Sequence, residues 1–123
     1  MLSKKEILNI NNIVYKAGDA ILEIYDTDFD IETKSDNSPL TIADKKSHQI
    51  IESGLKKLYP DIPILSEEGK DIPYSIRKKW DLFWLVDPID GTKEFIKKNG
   101  EFTVNIALIK NNYPIFGSVY APY

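Results

Sequence analysis

The stretch Trp80–Val86 (WDLFWLV) is apolar and aromatic except for Asp81, and it leads directly into Asp87–Thr92 (DPIDGT). A run of this kind predicts a well-buried strand whose carboxyl end delivers Asp87 to the edge of a sheet. We therefore expect the fold to be built around this strand, with the carboxylates of Asp87 and Asp90 where it ends.

Two amphipathic helices are predicted before this strand. Ser3 and Glu6 have the spacing of a capping box, and a stripe of apolar residues then continues to about Tyr25. The second helix is expected over residues 41–59, after the turn cluster Asp36–Pro39. The predicted core stripes are Ile7, Ile10, Val14, Ala17, Ile21 and Ile24 on the first helix, and Ile42, Ile50, Ile51, Leu55 and Leu58 on the second.

The remaining segments indicate short strands and loops. Alternation predicts a short strand within residues 28–34 and a hairpin of Phe102–Ile109 with Ile115–Tyr120 around the turn Asn111–Pro114. The run Ile62–Leu65 is apolar, Gly69–Lys79 is charged and predicts a loop, and residues 92–98 suit a brief helix. The predicted class is an α/β fold, an α+β layered sandwich with two amphipathic helices on a largely antiparallel sheet.

Composition limits the classes of function. The chain has 123 residues, 42% of them hydrophobic, which suits one domain. Its 16 basic and 19 acidic residues are scattered and give a net charge of −3, which argues against nucleic acid as a partner. The absence of cysteine, and of a long apolar stretch at the start, favours a reducing cytoplasm without a membrane span.

The chain stops just after a strand, with no helix stop or charged tail in Ala121–Tyr123. We interpret residues 1–123 as an amino-terminal domain that carries a metal and phosphate site, and we expect a carboxy-terminal domain to be absent. Missing strands would leave an apolar sheet face and an unpaired edge exposed, so self-association is expected.

Carboxylates dominate the stretch that follows the buried strand. Mg²⁺ binds oxygen ligands and takes one or two carboxylates together with water and phosphate oxygens, a demand that Asp87 and Asp90 meet. The proline between them bends the chain, so the Ile89 carbonyl could converge on the same point. Gly91 permits a tight turn into a helix start at Thr92, where free N–H groups suit a phosphate. The hypothesis is metal-assisted hydrolysis of a phosphate ester. The alternative is a surface turn that precedes a capped helix.

Longer stretches of the sequence resemble a known family. The segment Trp84–Phe95 resembles the signature of the inositol monophosphatase superfamily, and Asn99–Ile109 is similar to its CysQ-type branch of 3′(2′),5′-bisphosphate nucleotidases. Ala17–Ala20, Asp36–Asp44 and Leu65–Glu68 resemble the same branch in order and spacing.

The resemblance implies a set of site residues. Glu67, Asp87 and the Ile89 carbonyl would hold one Mg²⁺, Asp87 and Asp90 a second, and the complete protein would use two or three ions. Thr92, hydrogen-bonded to Asp44, would position the attacking water together with Glu67. The substrate would contact Glu67, Ile89, Asp90, Gly91 and Thr92.

The resemblance also implies an activity and a cellular setting. The substrate would be adenosine 3′,5′-bisphosphate, a by-product of sulfate assimilation, which would lose its 3′-phosphate to leave AMP. Lithium would inhibit the reaction, and a peripheral place on the inner face of the cell membrane would also be compatible.

Two alternatives remain beside this activity. One is an inositol or sugar monophosphatase of the same superfamily. The other is a truncated fragment with weak or no activity, because the family takes a further metal-binding Asp from a downstream Trp-Asp motif. The pair Trp80-Asp81 lies upstream and is not a substitute.

Other residues receive structural interpretations first. His48, the only histidine, is expected to face solvent, and the pairs Lys45-Lys46, Lys56-Lys57 and Lys97-Lys98 are expected to lie on solvated helix faces. Lys93 could contact substrate. Glu68 either supports Glu67 or is an exposed acid. Trp80, Phe83 and Trp84 are predicted core residues.

Overall fold

The first helix begins as the capping box predicts. The computed structural model describes residues 2–123, and α1 spans Lys4–Tyr25. The Ser3 hydroxyl accepts a hydrogen bond from the Glu6 N–H at 3.2 Å, and the Glu6 carboxylate accepts one from the Ser3 N–H at 3.1 Å. Two backbone donors that the helix start leaves free are thereby satisfied. Of the predicted stripe, Ile10, Val14, Ala17 and Ile21 are buried together with Ile13, whereas Ile7 and Ile24 are partly exposed.

Helix α2 (Ile42–Leu58) also begins at a capping box, formed by Thr41 and Asp44. Its buried face differs from the predicted stripe and consists of Ala43, Asp44, Ser47, Ile51 and Leu55. Ile42 is 49% exposed and Leu58 39% exposed, so the prediction for these two residues is wrong. The apolar pattern was misleading because two polar residues take inner positions, where each finds a hydrogen-bond partner.

A small hairpin joins the two helices. Strand β1 (Ile31–Thr33) pairs antiparallel with β2 (Pro39–Thr41). The turn between them is held by the Asp36 carboxylate, which accepts a hydrogen bond from the Ser38 N–H at 3.0 Å, and Asn37 has a positive φ of 69°. The predicted strand and turn are therefore present, but Pro39 belongs to a strand that the sequence did not reveal.

A four-stranded sheet forms the second layer, in the order β3-β4-β5-β6. Its strands are β3 (Ile64–Ser66), β4 (Leu82–Asp90), β5 (Thr103–Lys110) and β6 (Tyr113–Tyr120). The strand β3 runs parallel to β4, and the other neighbours pair antiparallel. The fold is thus the predicted two-layer arrangement of helices on a largely antiparallel sheet.

The hairpin of β5 and β6 is tighter than predicted. Asn111 and Asn112 both have positive φ, 50° and 69°, which is typical of a two-residue type I′ turn. Tyr113 and Pro114 therefore belong to β6 rather than to the turn. Because β6 is an edge strand, the missing N–H of Pro114 is tolerated there.

The two remaining helices are short. Residues 74–77 form α3 (Tyr74–Arg77) inside the segment predicted as a loop, and α4 (Thr92–Lys97) follows β4 as expected. Among the described residues, no helix has the length and apolar character needed to cross a membrane.

The core lies between the two long helices and one face of the sheet. Trp84, Phe95 and Phe102 are its largest fully buried side chains. Trp80 and Phe83, which were predicted to be core, are only partly buried and pack their rings 5.8 Å apart. Trp80 lies before the start of β4 at Leu82, and Phe83 alternates with the buried Trp84 and so points to the other face of the sheet.

The two faces of α2 make a matched test of the core. Ile51→Ala removes a side chain that is fully buried and should lower the free energy of unfolding by about 2–5 kcal/mol. Ile42→Ala removes the same atoms from a half-exposed position on the same helix and should cost much less. Urea unfolding of both variants measures the difference. Equal losses would place the core on a different face of α2.

Candidate metal and phosphate site

The strand β4 does not end at Asp87 but continues to Asp90 through an irregular stretch. Asp87 is opposite Asn105 and Asp90 is opposite Thr103, so β4 carries one residue more than β5 between these pairs. An extra residue of this kind bends a strand and redirects its side chains. Pro88 and Ile89 are buried, Asp87 is half-buried and Asp90 is exposed. The bend thus anchors the motif by its apolar residues and leaves the carboxylates toward the surface.

A hydrogen bond from helix α2 fixes this bend. The buried Ser47 hydroxyl donates to the Pro88 carbonyl at 2.8 Å. A carbonyl in a bulge lacks its ladder partner, and a buried polar group without a partner costs about 1–3 kcal/mol. Sequence analysis did not identify Ser47, because a serine in a helix gives no signal of what it faces.

Gly91 makes the turn into α4. Its φ is +96°, a conformation that L-residues with side chains rarely adopt. A Cβ atom at this position would also lie 2.9 Å from the Glu101 carbonyl oxygen. The glycine is therefore required both by the turn and by the close approach of the backbone, as the sequence predicted for the turn.

Asp44 is the buried centre of the arrangement. Its side chain is fully buried and accepts hydrogen bonds from the Thr41 N–H at 2.9 Å, the Thr41 hydroxyl at 2.6 Å and the Thr92 hydroxyl at 2.8 Å. The contact between Asp44 and Thr92 is the one that the family resemblance implied. One carboxylate thus joins the start of α2 to the start of α4.

The predicted site residues line one cleft of about 260 Å³. Glu67, Asp87, Ile89, Asp90, Gly91 and Thr92 all contribute to its walls, and Lys93 does too. Asp44 lies behind Thr92 and does not line the cleft. Glu68 also lines the cleft. Its other walls come from residues that the sequence did not indicate, namely Lys34, Ser38, Pro39 and Glu94.

Glu68 and His48 differ from their simplest predictions. The Glu68 carboxylate is 3.0 Å from the Lys34 ammonium group and only 9% exposed, so Glu68 is not a free surface acid. The His48 side chain is only 14% exposed and does not face solvent. Its Nδ1 atom lies 2.9 Å from the Ser66 hydroxyl, a partner that is distant in sequence and could not be foreseen.

Burial and neighbouring carboxylates raise the pKa of Asp87 above that of an ordinary aspartate. Burial is the largest cause that raises its pKa, to about 7, and the negative charges of Asp90, Glu67, Glu68 and Asp44 raise it further. A site with this much uncompensated negative charge favours a cation. The Asp87 and Asp90 carboxylates and the Ile89 carbonyl are the oxygen donors that Mg²⁺ prefers.

The fit to a metal ion is incomplete in one respect. Within residues 2–123, no three acidic, histidine or cysteine side chains gather into a cluster that could hold a metal ion. Glu67 is exposed. Mg²⁺ accepts one or two carboxylates and completes its shell with water and phosphate oxygens, so Asp87 and Asp90 fit it without Glu67. The full ligand set that includes Glu67 stays a prediction.

The model of the inositol monophosphatase family matches residues 3–123. The chain belongs to the inositol monophosphatase family. This membership confirms the resemblance carried by the DPIDGT stretch and by the segments upstream of it.

Similar proteins within the inositol monophosphatase family include nucleotidases. The chain is 58% identical over 109 residues to the 3′(2′),5′-bisphosphate nucleotidase CysQ of Escherichia coli K12, covering 86% of this chain and 44% of that protein. It is 44% identical over 122 residues to CysQ of Buchnera aphidicola, covering 98% and 46%. The chain therefore spans less than half the length of these curated relatives.

Solved structures in this family have the same fold. A crystal structure of CysQ from Bacteroides thetaiotaomicron is 49% identical, with a TM-score of 0.77 over 94% of this chain and 41% of that one. The suppressor protein suhB of Bartonella henselae is 28% identical, with a TM-score of 0.83 over 94% and 45%. An inositol monophosphatase and NADP phosphatase, solved with Mg²⁺ and phosphate, is 23% identical and has a TM-score of 0.78 over 92% and 42%, which shows the fold alone.

The raised pKa of Asp87 predicts how the metal-free chain responds to pH. The fold holds the proton on Asp87 up to about pH 7, whereas an unfolded aspartate loses it near about pH 4. The folded state therefore binds more protons than the unfolded state between these values, and stability falls as pH rises through this window. Asp87→Asn removes the titration, so its stability should change less between about pH 5 and about pH 8.

Thermal unfolding in a chelator measures this difference. Asp19→Asn on the exposed face of α1 is the control and should keep the pH dependence of the unchanged chain. An undiminished loss of stability with rising pH in Asp87→Asn would contradict the assignment of the titration to Asp87.

Proposed function

We propose that this chain supplies the metal and phosphate site of a Mg²⁺-dependent phosphatase that acts on 3′(2′),5′-bisphosphate nucleotides. The substrate would be adenosine 3′,5′-bisphosphate and the products AMP and inorganic phosphate. The main support for this proposal is the cleft in which Asp87, Asp90 and the Ile89 carbonyl lie beside the hydrogen bond between Thr92 and Asp44. The 58% identity to a protein named 3′(2′),5′-bisphosphate nucleotidase supports the choice of substrate.

The site residues fall into two groups, those that would hold the cation and those that would position the attacking water. Asp87, Asp90, Glu67 and the Ile89 carbonyl would hold the cation. Bound Mg²⁺ supplies charge neutralisation for the phosphoryl oxygens and lowers the pKa of a water. Thr92 donates its hydrogen to Asp44, so its oxygen is left to accept a hydrogen bond from the attacking water.

The geometry also defines what Asp44 contributes. Its second oxygen is occupied by two donors from Thr41, so the carboxylate cannot rotate away from Thr92. The water oxygen would form a bond to phosphorus while the bond from phosphorus to the 3′-oxygen breaks. The water would give up a proton, and the 3′-oxygen would take one up and leave as the 3′-hydroxyl of AMP. Glu67 would help to orient that water. The phosphate would be contacted by the N–H groups of Gly91 and Thr92, with Lys93 beside them.

An inositol or sugar monophosphatase is the second candidate. The structural likeness to suhB and to inositol monophosphatases supports the shared metal chemistry but not the substrate. The sequence after Thr92 favours the nucleotidase. Parallel assays with inositol 1-phosphate and adenosine 3′,5′-bisphosphate separate the two, because each candidate predicts the opposite preference.

A third candidate is a chain with weak or no activity of its own. The chain spans less than half the length of its curated relatives. The family resemblance also implies a further metal-binding Asp from a downstream Trp-Asp motif. Under this proposal residues 1–123 act as an amino-terminal domain that binds Mg²⁺ and phosphate. Metal binding without phosphate release would favour it.

Phosphate release from adenosine 3′,5′-bisphosphate tests the proposal. The release should require Mg²⁺ and be inhibited by lithium. Asp90→Asn should lower it by more than about 100-fold, because loss of an outer-shell partner alone costs 10–100-fold. Asp81→Asn, an exposed acid just before β4, is the control and should leave the rate unchanged. Release that persists in Asp90→Asn would exclude this site as the centre of the reaction.

The open face of the sheet supports a proposal of self-association. Leu85 is 43% exposed and Val119 is 74% exposed, on the face turned away from the two long helices. The strand β6 is also an unpaired edge of the sheet, and such edges pair readily with another chain. The proposed partner is a second copy of this chain.

A charged residue on this face tests the proposal. Val119→Lys should shift the chain toward monomer in sedimentation equilibrium, since a lysine is costly to bury and blunts an edge strand. Tyr74→Lys, on the exposed helix α3, is the control and should not change the distribution. A chain that is monomeric at all concentrations would contradict the proposal.

A further inference from the structure

A row of three polar side chains, Glu52, His48 and Ser66, joins helix α2 to the acidic turn after strand β3. His48 Nδ1 lies 2.9 Å from Ser66 Oγ, and His48 Nε2 lies 3.3 Å from Glu52 Oε2. His48 and Glu52 are one helical turn apart on α2, whereas Ser66 is the last residue of β3. The proposed reaction uses none of the three, although Ser66 directly precedes Glu67.

The chemistry of the groups gives this row a direction. The Glu52 carboxylate can only accept hydrogen bonds, and its 3.3 Å electrostatic contact with His48 Nε2 favours the tautomer that carries its hydrogen on Nε2. In the neutral ring Nδ1 then accepts, and the Ser66 hydroxyl donates to it. The Ser66 oxygen remains free to accept from the Glu68 N–H, which lies 3.4 Å away. The Ser66 hydroxyl thus has a partner both as donor and as acceptor.

Ser66, the last member of this row, begins the backbone turn that carries Glu67. The Gly69 N–H donates to the Ser66 carbonyl at 3.1 Å and closes a turn over residues 66–69. The Glu67 N–H donates to the Val86 carbonyl at 3.1 Å, which ties the turn to the strand that bears Asp87. Glu67 itself is exposed, so the position of its carboxylate is set mainly by the backbone of this turn.

We propose that His48 is a positioning residue that, through Ser66, holds the turn of residues 66–69 so that Glu67 faces the Asp87 cleft ready for a cation. Glu52 keeps the imidazole in the orientation that this role needs. The inference rests on the proposed function, because it takes Glu67 as a metal ligand. Outer-shell partners of this kind tune metal affinity without touching the ion.

Calorimetric titration of the chain with Mg²⁺ tests the role. His48→Ala and Ser66→Ala should each weaken Mg²⁺ binding by about 10-fold, the lower end for an outer-shell group. The double variant should be no weaker than either single variant, since both remove the same bond. His48→Asn, whose amide can occupy the position of Nδ1, should restore most of the affinity. Gln49→Ala, exposed on the same helix, is the matched control.

Amide hydrogen exchange measured by NMR supplies a readout that is independent of the metal. His48→Ala should speed exchange at residues 67–69 and leave Ile51 and Leu55 in the core of α2 unchanged. A general loss of stability would instead speed exchange in both places and would overturn the positioning role.

The two readouts separate failure of this inference from failure of the proposed function. Mg²⁺ binding by the unchanged chain, with equal affinity in His48→Ala, would overturn the inference alone. No Mg²⁺ binding by the unchanged chain would overturn the proposed function and, with it, the link from His48 to a cation. Exchange at residues 67–69 that is the same in His48→Ala and in the unchanged chain would overturn the hold on the turn in either case.

Discussion

The buried carboxylate of Asp44 is the constraint on which the site depends. A fully buried acid is costly unless its oxygens are satisfied, and here three donors from two threonines satisfy them. Two of these donors belong to the start of its own helix and the third comes from Thr92, 48 residues away. The same group therefore caps α2, joins it to α4 and fixes the hydroxyl at the edge of the cleft.

The rest of the site combines buried apolar residues with carboxylates that lie close enough to repel one another. Pro88 and Ile89 are buried in the core, which forces Asp87 and Asp90 to lie close to other acids at the rim. This repulsion is expensive for the chain alone, and it is the reason that a small cation of high charge is the natural complement of the cleft. The clustered carboxylates thus destabilise the metal-free fold at the place where a cation is proposed to bind.

Sequence patterns predicted the two long helices, the cap of the first, the buried strand, the hairpin and the turn from Asp87 to Thr92. Each of these depends on local chemistry, such as the pairing of Ser3 with Glu6 or the conformational freedom of Gly91. The patterns failed where contacts with segments distant in sequence determine the burial and the hydrogen-bond partner of a residue. Ser47 and His48 sit on α2 with no local signal, because their partners Pro88 and Ser66 arrive from the sheet. The exposure of Ile42 could not be foreseen for the same reason.

The parallel pairing of β3 with β4 carries a consequence for how the chain reaches its final state. Residues 64–66 meet residues 84–86 only after the intervening segment has crossed over, and contacts between distant segments form slowly. The cleft combines residues of β2, of the turn after β3, of β4 and of α4, so it is complete only when these distant segments have met. A cation that binds there recognises only the finished molecule and draws the folding equilibrium toward completion.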